Sequence, residues 1–473
     1  MPLKLGMIAL GVESAPAIIK AKAEGKTWEM FLVEQARKEY ARGGFVPSPL
    51  FFHRYGMSER TGSAKRWDPS LPREAEEYLE EALEKGWQMI PDTEPKIFMS
   101  VGGNFLRRVR GYPELIKNFI PRLDLLVNVD WRMSSTGLYS DYILPVTAWY
   151  ERNDITWATP HAPFSQVTTR AATPLGEAKS DWEIHCLFMK HIQKRAKQRG
   201  IKTFRDRSGK ERRLDQVYDR MTYGGRYTEE NGEDFLRALL EVNTNLGGVT
   251  WDELKEKGFA RFTALGNSPV NIGNATDIEP DQTITANVWH VRDKYPWPTL
   301  TRRMQFFIDH PFYRELGEML PVHKDNPAIG GNYPLKMTGG HTRWSIHASW
   351  RDTPLLLRLQ RGRPVAFLSP QDAAARGIED GALVRARNDL GSFEIEAKVS
   401  AAMRPGQVAV YHAWEPHQFR RRRSHQSVVA TPLNPIQFAG GYYHLQPLMI
   451  MGEPGMNDRG TRIEIEPIRR RRA

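Results

Sequence analysis

Apolar and polar positions change their rhythm three times along this chain. Through residue 90 the apolar residues recur at helical intervals among charges, over 28–40 and again over 73–88, which predicts helices joined by surface loops. After Pro91 the rhythm shortens. Residues 96–101 (Lys-Ile-Phe-Met-Ser-Val) form a short apolar run that stops at Gly102-Gly103-Asn104 and leads into a helix start, and residues 123–130 form a second run that stops at Arg132-Met133-Ser134-Ser135-Thr136. A third run covers Asp141 to Pro145. Strand, polar turn and helix in alternation predict a parallel α/β sheet. A helix dense in Lys, Arg and His follows from Trp182 to about Arg199, then a polar, turn-rich segment to about Leu246 that is expected to cover one face of the sheet. Residues 247–321, broken by Asn267, Pro269, Asn271 and Asn274, read as a linker.

The last 150 or so residues turn to short β-branched runs with turn signals every 8–12 residues, the cadence of a closed β structure. Ser369-Pro370-Gln371-Asp372 caps a short Ala-rich helix that Gly377 ends. Asp380-Gly381 turns into a strand over 382–387, residues 388–391 turn again, 393–399 returns, and Arg404-Pro405-Gly406 turns into a strand over 407–411. The predicted fold is therefore α/β plus β: a parallel α/β domain with its linker over 1–320, and a small barrel with one inserted helix over 321–473.

Composition narrows the function classes. With 473 residues, 40% apolar and 10% aromatic, the chain can build several cores. No run approaches the roughly 18 apolar residues of a membrane span. The opening Met1-Pro2-Leu3-Lys4 and the apolar stretch 5–12 look faintly like an export leader, but Gly6 and Gly11 interrupt it, Glu13 follows, and no twin arginine precedes it. The single cysteine, Cys186, excludes an intrachain disulfide and any site built from several thiolates of this chain, including an iron–sulfur cluster. It lies in an amphipathic run, where a small buried role is expected. A net charge of +11 invites an anionic partner, yet beyond Arg420-Arg421-Arg422-Arg423 and Arg469-Arg470-Arg471-Arg472 the charge is dispersed and no nucleic-acid recognition element accompanies it. Pyrophosphate ligands or an acidic partner subunit account for the balance as well.

Candidate chemistry is a vocabulary of binding. In open parallel sheets, anionic ligands sit at the carboxyl ends of strands, where glycine turns let backbone N–H groups approach phosphate. Three strands here end in suitable groups, at Gly102-Gly103-Asn104, at 130–136 and at Ser140-Asp141, although glycine turns are general to α/β folds. In the barrel region, 338–347 (Thr-Gly-Gly-His-Thr-Arg-Trp-Ser-Ile-His) joins two glycines to His341, Arg343, Ser345, His347 and a stackable Trp344. Two histidines six apart do not share a helical face, so spacing nominates no metal site. A comparable cluster covers 434–444, and 411–416 (Tyr-His-Ala-Trp-Glu-Pro) stands at a strand end where it could line the same cleft. Gly25-Lys26-Thr27 echoes a Walker loop, but Lys20 stands where its first glycine belongs. No nucleophile elbow, zinc-protease motif or acid/base pair is present.

These residues carry a family likeness. The runs 101–108 (Val-Gly-Gly-Asn-Phe-Leu-Arg-Arg), 129–136, 140–145 with Trp149-Tyr150-Glu151, and 176–182 (Gly-Glu-Ala-Lys-Ser-Asp-Trp) resemble the third domain of the dimethyl sulfoxide reductase family of molybdopterin oxidoreductases. The runs 339–347, 369–378 and 433–445 resemble that family's C-terminal dinucleotide-binding domain, a double-psi β-barrel. Among subfamilies the wording is most similar to ethylbenzene dehydrogenase and the steroid side-chain hydroxylases.

The resemblance implies a bis(molybdopterin guanine dinucleotide) cofactor gripped by its nucleotide ends. One implied contact set is Gly103, Asn104, Asp130, Ser135, Thr136, Asp141, Lys179 and Asp181, and the other is His341, Arg343, Ser345, His347, Asn434, Tyr442 and Tyr443. The family's cysteine-rich iron–sulfur domain and its molybdenum ligand have no counterpart in this sequence, so the resemblance implies that both come from a missing N-terminal half. Further implications are an iron–sulfur beta subunit, a haem gamma subunit and a periplasmic location. The implied activity is hydroxylation of a hydrocarbon or steroid; a selenate, chlorate or nitrate reductase fragment and a non-catalytic cofactor-binding module stand as alternatives.

Overall fold

The computed structural model describes residues 19–26, 48–62, 64–90, 93–156, 163–206, 209–243, 245–263, 276, 281, 288–294, 296–297, 299, 301–345, 347–441 and 460–468. The leader-like start, the helix expected over 28–40, the asparagines of the linker, the second arginine run, Tyr442 and Tyr443 lie outside them. The chain forms two compact units, Met1–Gln35 with Leu144–Gln305, and Ala36–Ile143 with Phe306–Ala473. This grouping departs from the linear division at residue 320, because the first parallel strands pack in the same unit as the barrel.

Strand β1 (Ile97–Val101) pairs in parallel with β2 (Leu125–Asp130), Ile97 opposite Leu125 and Val101 opposite Val129, and β3 (Tyr142–Pro145) lies on the other side of β2. β2 is central and buried from Leu126 onward, which is why it reads as a continuous apolar run. The helix Tyr112–Asn118 lies in the β1–β2 crossover and brings Tyr112 and Leu115 into a core with Phe52, Tyr55, Met57, Leu106, Val109 and Phe119.

The unit containing residues 144–305 has a different plan. β4 (Asp154–Thr156), β5 (Phe164–Thr168) and a later strand form a small antiparallel sheet, not a continuation of the parallel one. A hairpin of β6 (Thr203–Arg205) and β7 (Glu211–Arg213) intervenes before that later strand, β8 (Phe259–Arg261). Strands of three residues carry too little alternation to be read in advance. The helix Asp181–Gln198 begins at a capping box in which Ser180 and Glu183 exchange hydrogen bonds, and Trp182 stacks on Phe235 with ring centroids 4.5 Å apart. Cys186 is fully buried, and burial, with Glu229 and Glu183 nearby, pushes its thiol up to about 11, in accord with an inert packing role. Among the described residues no helix is long and apolar enough to cross a membrane.

The other unit closes a barrel from β9 (Leu335–Thr338), β10 (Val365–Leu368), β11 (Leu383–Asn388), β12 (Gly391–Val399), β13 (Gln407–Val410) and β14 (Thr461–Pro467), in the order β10-β12-β11-β14-β9-β13. Two pairs are parallel, β10 with β12 and β9 with β13; the other four are antiparallel. The inserted helix is Pro370–Ala375, and Ser369 accepts a hydrogen bond from the Asp372 N–H as its N-cap. Alternate residues point inward, so Val384, Ala386, Phe393, Ile395, Val408, Val410, Ile463 and Ile465 fill the interior. Phe393 is 2% exposed, and Phe393→Ala should cost about 3–5 kcal/mol through the cavity it leaves, seen as a lower urea midpoint at unchanged m.

Candidate functional site

The expected residues gather at strand ends, and the group that joins them is Glu415. β1 ends at Gly102, whose φ of 59° is a left-handed conformation that glycine adopts without strain, and the Ser100 hydroxyl donates to the Gly103 carbonyl at 2.7 Å. Asn104 then splits its amide: Oδ1 accepts from the Thr136 N–H at 3.3 Å and the Thr136 hydroxyl at 3.0 Å, while Nδ2 donates to Glu415 at 2.7 Å. From the end of β2, Arg132 reaches the same carboxylate at 2.9 Å, and Ser135 donates both its hydroxyl, at 2.6 Å, and its N–H, at 3.2 Å. Glu415 lies five residues past the end of β13 and is 1% exposed. Burial by itself would raise its carboxyl, but Ser135, Asn104 and Arg132 outweigh burial and hold it below the ordinary carboxylate value. Asp130 goes the other way: burial raises it against the Trp131 N–H, which donates at 2.8 Å.

Some expected contacts serve the fold. Asp141 exchanges hydrogen bonds with Leu126, its Oδ2 accepting at 2.7 Å and its N–H donating at 2.9 Å, so it starts the β2–β3 pairing. Asn434 caps a 3-10 turn by accepting from the Ile436 N–H at 3.2 Å. The helix after Asn104 spans just Phe105–Arg108, so its dipole adds little to an anion site. Lys179 and Asp181 belong to the other compact unit, where the exposed Lys179 pairs its backbone with Pro145 and Thr147, and Asp181 sits 3.5 Å from Arg152.

The barrel-end loops hold the second set. β9 and β13 run parallel in register, Thr338 opposite Ala409, so the chains leaving them emerge together. Gly340 and His412 continue the ladder: the Gly340 carbonyl accepts from the His412 backbone N–H at 3.0 Å and contacts His412 Nδ1 at 2.6 Å. A side chain on Gly340 would place Cβ 3.0 Å from the Tyr411 ring, which explains a glycine there. His347, with φ 48°, turns back so that its Nδ1 lies 3.0 Å from His412 Nε2, and His341 stacks edge-on at 4.2 Å from the His412 ring. Spacing argued against a metal using His341 and His347 alone; the fold adds a third imidazole from 65 residues further on. Arg343 is exposed, and Ser345 bonds Thr342 at 2.6 Å.

The same unit buries an arginine and several polar atoms that sequence reading did not single out. Arg351 is 1% exposed and meets no carboxylate among the described residues. Its guanidinium donates to Gln360 at 2.6 Å and to the His412 carbonyl at 2.9 Å, lies 4.2 Å from the Trp414 ring, and leaves Nε without a partner among those residues. Burial, then Arg107, lowers it to about 10. His425 is pushed down to about 3 by burial, with His412, Arg110 and Arg107 adding to the effect, and is neutral at pH 7. His425 Nδ1, Gln426 Oε1 and Thr431 Oγ1 are buried without partners among the described residues. Buried polar atoms and a buried uncompensated cation are costly, which is the signature of a site built for a polar anionic ligand.

Comparison with known proteins agrees. The family profile "Molydopterin dinucleotide binding domain" matches residues 335–444 and "Molybdopterin oxidoreductase" matches residues 25–191. The respiratory nitrate reductase alpha subunit of Haloferax mediterranei is 35% identical over 80% of this chain and 40% of that protein. The dimethylsulfide dehydrogenase alpha subunit of Rhodovulum sulfidophilum is 34% identical over 86% and 43%, and the perchlorate reductase alpha subunit of Dechloromonas aromatica 33% identical over 83% and 41%. The chain spans about two fifths of the length of these curated relatives. The two profiles together indicate a molybdenum bis(molybdopterin guanine dinucleotide) cofactor. The chain belongs to the molybdopterin oxidoreductase family.

Proposed function

We propose that this chain grips the dinucleotide ends of its cofactor as part of the large subunit of an oxyanion reductase. The observation that carries the binding role is Arg351, a buried guanidinium without a counter-charge among the described residues, whose Nε also lacks a partner there. A pyrophosphate supplies the missing counter-charge and an acceptor for the Arg351 Nε–H, so this residue fits the group. The strand-end set Gly103, Asn104, Asp130, Ser135, Thr136 and Asp141 would take one nucleotide, and Lys179 and Asp181, in the other unit, are proposed separately as nucleotide contacts. His341, Arg343, Ser345, His347, Asn434, Tyr442 and Tyr443, with Arg351, would take the other. When bound, the cofactor supplies the redox metal; this chain's own work is to bind it, orient it and exclude water.

Two of the three relatives named above are oxyanion reductases, which favours the reductase alternative over hydrocarbon or steroid hydroxylation. The parallel pairs β10–β12 and β9–β13 support the double-psi form of the barrel. The relatives are named as alpha subunits, which supports further subunits as partners; the iron–sulfur beta subunit, the haem gamma subunit and the periplasmic location rest on the family resemblance alone. Recovered with its native partners, the protein should release twice as much guanine nucleotide as molybdenum on acid treatment and should oxidise a reduced dye when given nitrate or chlorate. Absence of both nucleotide and molybdenum would overturn the binding role; their presence with turnover of a hydrocarbon alone would overturn the reductase reading.

A further inference from the structure

The three imidazoles at the barrel end do more than offer hydrogen bonds. Their potential ligand atoms all lie within 4.8 Å of one another, and they come from two loops that the parallel pairing of β9 and β13 holds side by side. His412 is already set as a ligand. With its Nδ1 against the Gly340 carbonyl at 2.6 Å, that nitrogen carries the proton and Nε2 presents its lone pair to His347 Nδ1 at 3.0 Å. An imidazole fixed through its far nitrogen by a backbone carbonyl is the outer-shell arrangement of metal-binding histidines. Around a tetrahedral ion with bonds of about 2.0–2.1 Å, ligand nitrogens stand about 3.3 Å apart, so the 3.0 Å pair needs little adjustment and the exposed His341 has room to close. His347 holds a left-handed φ of 48°, unusual for a side chain of this size, and that turn aims its ring at His412.

We propose that, before the cofactor is loaded, His341, His347 and His412 bind one late first-row divalent cation such as zinc, through three nitrogens and a fourth position open to water. No thiolate or carboxylate takes part, so the site suits zinc, nickel or copper over magnesium or calcium. Binding breaks the His347–His412 hydrogen bond and leaves the Gly340 contact in place. The cation site stands on the imidazoles alone. Its consequence, that zinc and the dinucleotide exclude each other, rests on the cofactor role given above to His341 and His347.

The test is titration of the tag-free, cofactor-free full chain with zinc alone by calorimetry, with metal analysis after gel filtration, and with cobalt(II) as an optical probe. One zinc per chain is expected, with tetrahedral cobalt absorption. His347→Ala and His412→Ala should each weaken binding by more than the about 10- to 100-fold that loss of an outer-shell partner costs. His323→Ala, at an exposed position elsewhere, should leave it unchanged. His347 is exposed and His412 half-buried, and circular dichroism verifies that both variants keep the fold. Failure to retain stoichiometric zinc, or equal retention by the His347 and His412 variants, would sink the proposal. Zinc bound on the triad without loss of guanine nucleotide retention would keep the cation site and overturn the placement of the dinucleotide on these histidines.

Discussion

Replacing Arg351 by methionine is expected to leave the cofactor-free chain as stable as before, or more so, while lowering guanine dinucleotide retention by about 10- to 100-fold. The two effects separate because the guanidinium is buried without a carboxylate among the described residues. Holding an ion out of water costs several kcal/mol, and Gln360, the His412 carbonyl and the Trp414 ring return part of that. Methionine fills similar space, removes the charge, and leaves two neutral acceptors wanting a donor. A charge-assisted hydrogen bond to phosphate contributes about 1.5–3 kcal/mol, which corresponds to the expected loss of affinity. Arg351→Lys should be intermediate, since it keeps the charge and loses the planar fork. Thermal melts of the cofactor-free chain and nucleotide analysis of the loaded protein check both halves. A large drop in melting temperature with undiminished nucleotide would make Arg351 a structural cation and remove the main support for the binding role.

What was legible in the sequence follows from the range of the forces involved. β2 could be read because six residues in a row, nearly all buried, leave a continuous apolar mark. β11 and β12 could be read because the turn at 388–391 sits between runs whose inward residues alternate. β4 and β8, three residues each, could not, and β8 adds a strand to an antiparallel sheet where a linker was expected. β14 alternates clearly, with Ile463 and Ile465 inward, yet its partners β9 and β11 lie far back along the chain and pairing leaves no local trace. The site divides in the same way. Gly103, Asn104, Ser135 and Thr136 end apolar runs and were visible as such. Arg351, within a polar stretch, reads as a surface arginine, and nothing nearby tells that Gln360 and Trp414 enclose it. His412 joins His341 solely because β9 and β13 pair, and Glu415 was visible as a strand-end residue but not as an acid shared by Asn104, Arg132 and Ser135.

That shared acid predicts a loss of stability as large as that of a core aromatic. Glu415→Ala should destabilise the fold by about 3–5 kcal/mol, because it strips the nearer of two carboxylates from Arg132, leaving Asp352 at 4.0 Å, and the acceptor from donors of Asn104 and Ser135 while opening a cavity. Glu415→Gln keeps the shape and one acceptor and should cost about half as much. The pH dependence has a definite sign. The folded carboxyl lies below its unfolded value of about 4.3, so its contribution is fully present above that value and is lost as pH falls through the lower folded one. Urea midpoints measured at pH 7 and then stepwise from pH 5 to pH 3 should therefore fall more steeply for the natural chain than for Glu415→Gln, with the two curves converging in acid. Parallel curves would mean that the Glu415 carboxyl binds its proton equally in the folded and unfolded chain, so that Ser135, Asn104 and Arg132 do no more than offset its burial.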